Sequence, residues 1–200
     1  MKNDVWDVIP ILEGKSVVTS KWIYKIKHTA FGRIEKYKAR FVARGFSQKE
    51  GIDYEENFAP VARYTSIISV LSLAAVMKWK VHQIDVKTTF LNGAVEEEVY
   101  VVQPLGFKTH DRKTHLCKLK KSLYNLKQAP RTWYGIIDSF LSSLGFTKSK
   151  VDPNIYHKVE EGNPVILLLY VDDLFVTGED GLIVDTKRNL DVEFEKKDLG

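Results

Sequence analysis

Apolar and polar residues alternate from Lys21 to His28, with Trp22, Tyr24 and Ile26 on one face and Lys25, Lys27 and Ile23 on the other. Period two is the signature of a half-exposed strand. After a turn at Thr29-Ala30-Phe31-Gly32, the chain returns with Tyr37, Ala39, Phe41 and Ala43 on one side and Lys36, Lys38, Arg40 and Arg44 on the other. The pattern predicts a β-hairpin with one apolar and one cationic face. Before it, Pro10 and Gly14 punctuate a stretch that reads as irregular. After it, Gly45 to Ala62 reads as a loop carrying an acidic cluster, Glu50, Asp53, Glu55 and Glu56. Ile67, Val70, Leu71, Ala74 and Met77 then recur at helical spacing, predicting a core helix over Thr65 to Lys78 with Thr65 or Ser66 as N-cap.

A strand from Val81 to Val86 follows and delivers Asp85 to the turn at Lys87 to Gly93. His82 falls on the face opposite Asp85 and reads as an ordinary packed histidine. Glu96, Glu97 and Glu98 read as a solvated turn before a short strand over Val99 to Val102. Beyond the basic passage Lys118-Leu119-Lys120-Lys121, Pro130 is placed to open a helix with Trp133, Ile137, Phe140 and Leu144 as its buried stripe and Gly145 at its end. Strand signals around Ile155 to Val159, a turn at Glu161-Gly162-Asn163 and the run Val165 to Val171 lead into Asp172-Asp173 and a further apolar segment to Val176. An amphipathic helix over Leu182 to Phe194 completes an α+β pattern. No repeat, low-complexity segment or linker interrupts it, and 44% hydrophobic content over 200 residues suffices for one globular unit.

Charge changes the picture locally. The net charge is only +4, a mild hint of a polyanionic partner. From Lys21 to Lys49, however, nine basic residues stand against one acid, Glu35. Such a hairpin is compatible with two uses: a solvated edge guarded by lysines against sheet addition, or a surface for phosphates. The single cysteine, Cys117, excludes an intrachain disulfide and suits a reducing compartment. His115 lies close to it, but nothing completes a zinc-ligand set. The first residues show no positive segment leading into an apolar run, and no stretch reaches membrane-spanning length. The expectation is an intracellular chain with no membrane partner, without distinction between a cytoplasmic particle and the nucleus.

The paired aspartates are the energetic anomaly. An apolar strand runs into Asp172-Asp173 and then resumes, which puts two carboxylates at the tip of a hairpin inside the fold. Charges beside apolar walls cost several kcal/mol unless they are paired or bind a cation. The arrangement calls for a metal and a third acid. Asp85 alone would be an ordinary turn or cap residue, but partner acids alter that reading. Three such carboxylates suit two divalent cations, since magnesium takes oxygen ligands and completes its shell with water and substrate phosphates. Two ions of this kind can clamp the attacking and leaving oxygens of a phosphoryl displacement.

Tyr170-Val171-Asp172-Asp173 resembles the catalytic motif of reverse transcriptases. Lys21-Trp22-Ile23-Tyr24-Lys25-Ile26-Lys27, Tyr37 to Phe46, Gln83 to Gly93 and Ser122 to Arg131 resemble, in the same order, the copia-type retrotransposon version of that enzyme. The resemblance implies an RNA-directed DNA polymerase with a right-hand architecture: fingers and an antiparallel palm sheet flanked by helices, the chain stopping before the thumb and RNase H. It implies two Mg2+ ions, with Mn2+ as a substitute, held by Asp85, Asp172, Asp173 and the Val86 carbonyl. Lys38, Arg40, Phe90, Tyr124 and Asn125 would meet the incoming dNTP, Phe90 packing under the sugar. Lys25, Lys27, Lys36, Arg44 and Tyr170 would contact an RNA or DNA primer-template, and integrase and RNase H would be partners within a Pol polyprotein. Two positions depart from the family: Asn125 replaces a usual glycine and Thr89 a usual alanine. Asparagine tolerates left-handed backbone better than most residues. The alternatives are an inactive relic that keeps the fold and nucleic-acid binding, and a magnesium-dependent phosphodiesterase, which leaves Phe90 and the basic hairpin unexplained.

Overall fold

A computed structural model describes residues 4–106, 110–111 and 113–200. The described residues form eleven strands and three α-helices, an α+β fold with antiparallel sheets. The chain folds into two compact units, each built from two segments: Met1–Phe58 with Phe90–Trp133, and Ala59–Thr89 with Tyr134–Gly200.

In the first unit, β1 (Trp6–Pro10), β5 (Tyr100–Val101) and β6 (His115–Leu119) form a sheet in the order β1-β6-β5. The sequence pattern reads β1 as irregular and does not mark β6. Both are made by antiparallel pairing, from Trp6 opposite Leu119 to Pro10 opposite His115, which no local pattern announces. Val101 of β5 and Cys117 of β6 pack in one buried cluster with Val18, Ala43, Val99 and Leu123. Burial pushes the Cys117 thiol up to about 11, so it behaves as a small apolar side chain.

The hairpin is β2 (Ser20–His28) and β3 (Ile34–Ala43), paired with Trp22 opposite Phe41, Tyr24 opposite Ala39, Lys25 opposite Lys38 and Lys27 opposite Lys36. The predicted faces are therefore present, with one correction. Only the root is buried, at Val42 and Ala43, whereas Tyr24 and Tyr37 on the apolar face are 75% and 74% exposed. Rings continue outward from the core, Trp6 against Phe41 at 5.7 Å, Phe41 against Trp22 at 5.3 Å and Trp22 against Tyr24 at 6.2 Å. Arg44, assigned by alternation to the cationic face, lies just beyond the end of β3 and leads into a short 3-10 turn.

In the second unit, β4 (Val81–Val86), β7 (Thr147–Lys148), β8 (Ile155–Glu160), β9 (Asn163–Tyr170), β10 (Asp173–Gly178) and β11 (Lys196–Asp198) form one sheet in the order β11-β4-β10-β9-β8-β7. The connection from β8 to β9 is a two-residue turn with Glu161 and Gly162 both at positive φ, the type I′ geometry whose twist suits a hairpin. Helix α1 (Tyr64–Met77) packs Ile67 and Val70 on Leu168, Ile166 and Phe175. On the opposite face, α2 (Ala129–Ser143) reaches buried Tyr156 through Asp138, whose carboxylate accepts from the Tyr156 hydroxyl at 2.8 Å. Its buried positions are Ala129, Trp133, Ile137 and Leu141; Phe140 and Leu144, expected in the stripe, are half-buried. Helix α3 (Asp180–Glu193) lies on the same side as His82, which contacts Lys187 at 2.8 Å. Burial first, and then the Lys187 ammonium, hold that imidazole below its ordinary pKa.

The N-cap of α1 differs from expectation. Neither Thr65 nor Ser66 caps it; Arg63 occupies the cap position without a side-chain bond. Asp152, almost fully buried, instead accepts from the Arg63 N–H at 3.0 Å and from the Ser66 hydroxyl at 2.6 Å. A carboxylate distant in sequence thus does the work of a local cap.

Candidate functional site

The three acids come together in the second unit because two strands end at the same level. Asp85 on β4 is the direct partner of Asp173 on β10, and Asp173 in turn faces Tyr170 on β9. Val171 and Asp172 form the two-residue tip between them. The Asp172 carbonyl accepts from the Val86 N–H at 3.0 Å, so the tip is tied to the end of β4. All three carboxylate residues are half-buried, and Tyr170 is more exposed at 42%.

Two neighbours of the acids escape sequence patterning. Gln83 donates from Nε2 to Asp173 Oδ1 at 3.1 Å. Its position two residues before Asp85, hence on the same face of β4, is the signal that could have found it. Thr89, wholly buried, donates its hydroxyl to the Val86 carbonyl at 2.8 Å.

The donors here are all hard oxygens, two carboxylates directly opposed, a third at the tip and a carbonyl beside them. Among the described residues no three acidic, imidazole or thiol groups lie close enough together to hold a metal ion by themselves. Magnesium characteristically uses one or two carboxylates and fills its remaining positions with water and substrate phosphates. The donor set fits that ion and does not fit a structural zinc centre.

The predicted nucleotide-contacting residues form a second cluster, in the first unit. The Arg40 guanidinium lies 5.0 Å from the centre of the Tyr124 ring, and Phe90 meets the same ring edge-on at 5.0 Å. Backbone bonds fix Tyr124 to the hairpin root, its carbonyl accepting from the Ala43 N–H at 3.0 Å. Lys38 sits on the same face of β3 as Arg40, two residues away. The adjoining loop is pinned by a buried amide network: Gln48 Nε2 donates to Gln128 Oε1 at 2.9 Å, and Gln128 Nε2 to the Asp53 carbonyl at 3.0 Å. Asp53, one of the acidic cluster that the sequence places in this loop, is buried and accepts from the Lys49 N–H at 2.7 Å. Asn125 is exposed and adopts φ +75°, a left-handed conformation that favours glycine. Gly45 lies directly against the Asn125 carbonyl, where any Cβ would collide. Lys25, Lys27 and Lys36 stand exposed along the cationic face of the hairpin.

Among the described residues no helix is long and apolar enough to cross a membrane. The family model "Reverse transcriptase (RNA-dependent DNA polymerase)" matches residues 3–200. The chain is 48% identical over its full length to the Retrovirus-related Pol polyprotein from transposon TNT 1-94 of Nicotiana tabacum, covering 15% of that protein. It is 40% identical over 98% of its length to the corresponding polyprotein from transposon RE1 of Arabidopsis thaliana, covering 14% of it. A Transposon Ty1-DR5 Gag-Pol polyprotein of Saccharomyces cerevisiae matches at 28% identity over 90% of the chain. The chain thus spans about one seventh of the plant relatives it matches. With the motifs in order and the family match running almost from end to end, this chain belongs to the reverse transcriptase family, in its copia-type retrotransposon branch.

Proposed function

We propose that this chain carries the nucleotidyl-transfer site of an RNA-directed DNA polymerase, adding dNTPs to a primer under the direction of an RNA or DNA template. The observation that carries the reading is the register of Asp85 against Asp173, with Asp172 at the intervening tip. On this reading the six-stranded sheet is the palm and the β2–β3 hairpin belongs to the fingers. The chain acts as part of a Pol polyprotein, with integrase and RNase H as its partners there.

Asp85, Asp172 and the Val86 carbonyl would hold two Mg2+ ions, which Mn2+ can replace, and Asp173, oriented by Gln83, completes the acidic set. When bound, these ions supply charge neutralisation at the attacking and leaving oxygens. The residues of the chain then have positioning tasks. Arg40, held over Tyr124, and Lys38 meet the triphosphate as cations. Phe90, braced by the edge of Tyr124, is a rigid surface for the sugar that leaves no room for a 2′-hydroxyl. The Asn125 backbone borders the nucleotide. Lys25, Lys27, Lys36 and Arg44 neutralise template or primer phosphates, and the exposed Tyr170 ring meets the primer end.

The test is primer extension with Mg2+, comparing the chain with its Asp172→Asn variant. Losing a carboxylate from the site removes several kcal/mol of charge stabilisation, so incorporation should fall by about 100-fold or more. Equal incorporation by the two proteins, or template-directed incorporation by neither, overturns the reading.

A further inference from the structure

Thr89 places a hydroxyl just beyond the end of β4, and its environment gives that hydroxyl a definite task. The side chain is fully buried, and Oγ1 donates to the Val86 carbonyl at 2.8 Å. The other end of the same residue is held as well, since the Val86 N–H donates to the Asp172 carbonyl at 3.0 Å. Thr88, between them and the start of the short 3-10 turn Thr89–Asn92, adopts φ +50°, which swings Thr89 back beneath the end of β4. Val86 is therefore fixed from both sides, through its N–H by the aspartate tip and through its carbonyl by Thr89.

We propose that Thr89 is a positioning residue for a divalent cation: its hydroxyl occupies one lone pair of the Val86 carbonyl and thereby aims the other at the ion. This rests on the metal reading above. A carbonyl oxygen has two lone pairs, so one hydrogen bond leaves one ligand position. A bond to one of them fixes the peptide plane and with it the direction of the second. Outer partners of this kind orient ligands and tune the affinity of the site. A hydroxyl reaching back three residues to a carbonyl is also a common local motif without ligand function, so the test must read cation binding separately from folding.

Mn2+ binding to the intact chain, followed by electron paramagnetic resonance of free Mn2+, supplies that reading. Thr89→Val keeps the shape and removes the donor; Thr89→Ser keeps the donor and removes the methyl. Thr89→Val should weaken Mn2+ binding about tenfold, whereas Thr89→Ser should stay within about threefold of the parent chain. Thermal unfolding without Mn2+ identifies any loss due to misfolding, and should Thr89→Val fail to fold, Thr89→Ala takes its place with the same expected loss. Equal Mn2+ affinity in the Val or Ala variant and the parent overturns the proposal. Asp85→Asn separates the two levels: if it abolishes Mn2+ binding while Thr89→Val leaves it intact, only the role of Thr89 falls. If the parent chain binds no Mn2+, the metal reading falls and this one with it.

Discussion

Val171 carries φ +56°, while Asp172 and Asp173 do not appear among the described residues at positive φ. That sign pattern, positive at the first central position of a two-residue hairpin tip and not at the second, is that of a type II′ turn, which favours glycine there. A β-branched residue in this region is a genuine outlier and stores about 1–3 kcal/mol. It persists because β9 and β10 are paired on both sides of the tip and the Val86 N–H of β4 donates to the Asp172 carbonyl. Replacing Val171 with glycine relieves the strain but adds about 0.5–1 kcal/mol of unfolded-state entropy. The Val171→Gly chain should therefore be about 1 kcal/mol more stable than the parent in urea unfolding with an unchanged m-value; a loss of about 1 kcal/mol or more would show that the tip is relaxed. The same contrast explains what residue identity reveals. Asn125, a residue type that visits left-handed backbone, announces its φ of +75°; valine at 171 does not.

At the scale of elements, α1 depends on a residue outside itself. Burial would raise the Asp152 carboxyl, but bonds from the Ser66 hydroxyl and from the Arg63 and Asn154 donors outweigh it and hold the group below its ordinary value. Asp152→Ala leaves the Arg63 N–H and Ser66 hydroxyl without their acceptor and should cost about 2–4 kcal/mol. Because the folded-state value is depressed, the ionised carboxylate stabilises the fold above its unfolded value near 3.8 and loses that contribution as pH falls through the folded value. Urea unfolding at pH 7 and at pH 3 checks both statements: the gap between the parent and Asp152→Ala should narrow at the lower pH, and an unchanged gap would assign the effect to packing. Helical periodicity located α1 to within one residue at each end, because its inward positions repeat every turn. It could not locate the cap, which comes from a loop 89 residues away. The β2–β3 hairpin was legible for the same reason, since alternation is local. β1 and β6 were not, because five-residue strands owe their state to the partner opposite. For the acids, the strand-end position of Asp85 and the need for a third carboxylate join it to the pair before any motif resemblance, while Gln83 and Thr89 need coordinates to show which atoms they hold.

For the whole molecule, composition has room for one core and does not reveal two units, since no linker marks their division. The chain passes between them at Phe58–Ala59, at Thr89–Phe90 and inside α2 at Trp133–Tyr134, each within an ordinary run of sequence. Net charge is similarly uninformative without its distribution. Lys25 opposite Lys38 and Lys27 opposite Lys36 put like charges directly across a two-stranded ribbon, an arrangement that destabilises pairing unless an anion lies between or above them. On the proposed reading that anion is the phosphate backbone of the primer-template. Changing these four lysines to glutamine takes the formal net charge from +4 to zero, and so does the same change at exposed Lys78, Lys80, Lys150 and Lys197. Each phosphate contact contributes about 0.9 to the slope of log affinity against log salt on duplex DNA. If the hairpin lysines contact phosphates, the first variant should bind a short duplex more weakly and lose up to about 3.6 from that slope, while the second keeps the parent slope. Fluorescence anisotropy across a salt series separates them. Equal slopes in the two variants would mean that net charge, not the hairpin, draws the nucleic acid, and would return the lysines to the other reading, guards of an open sheet edge.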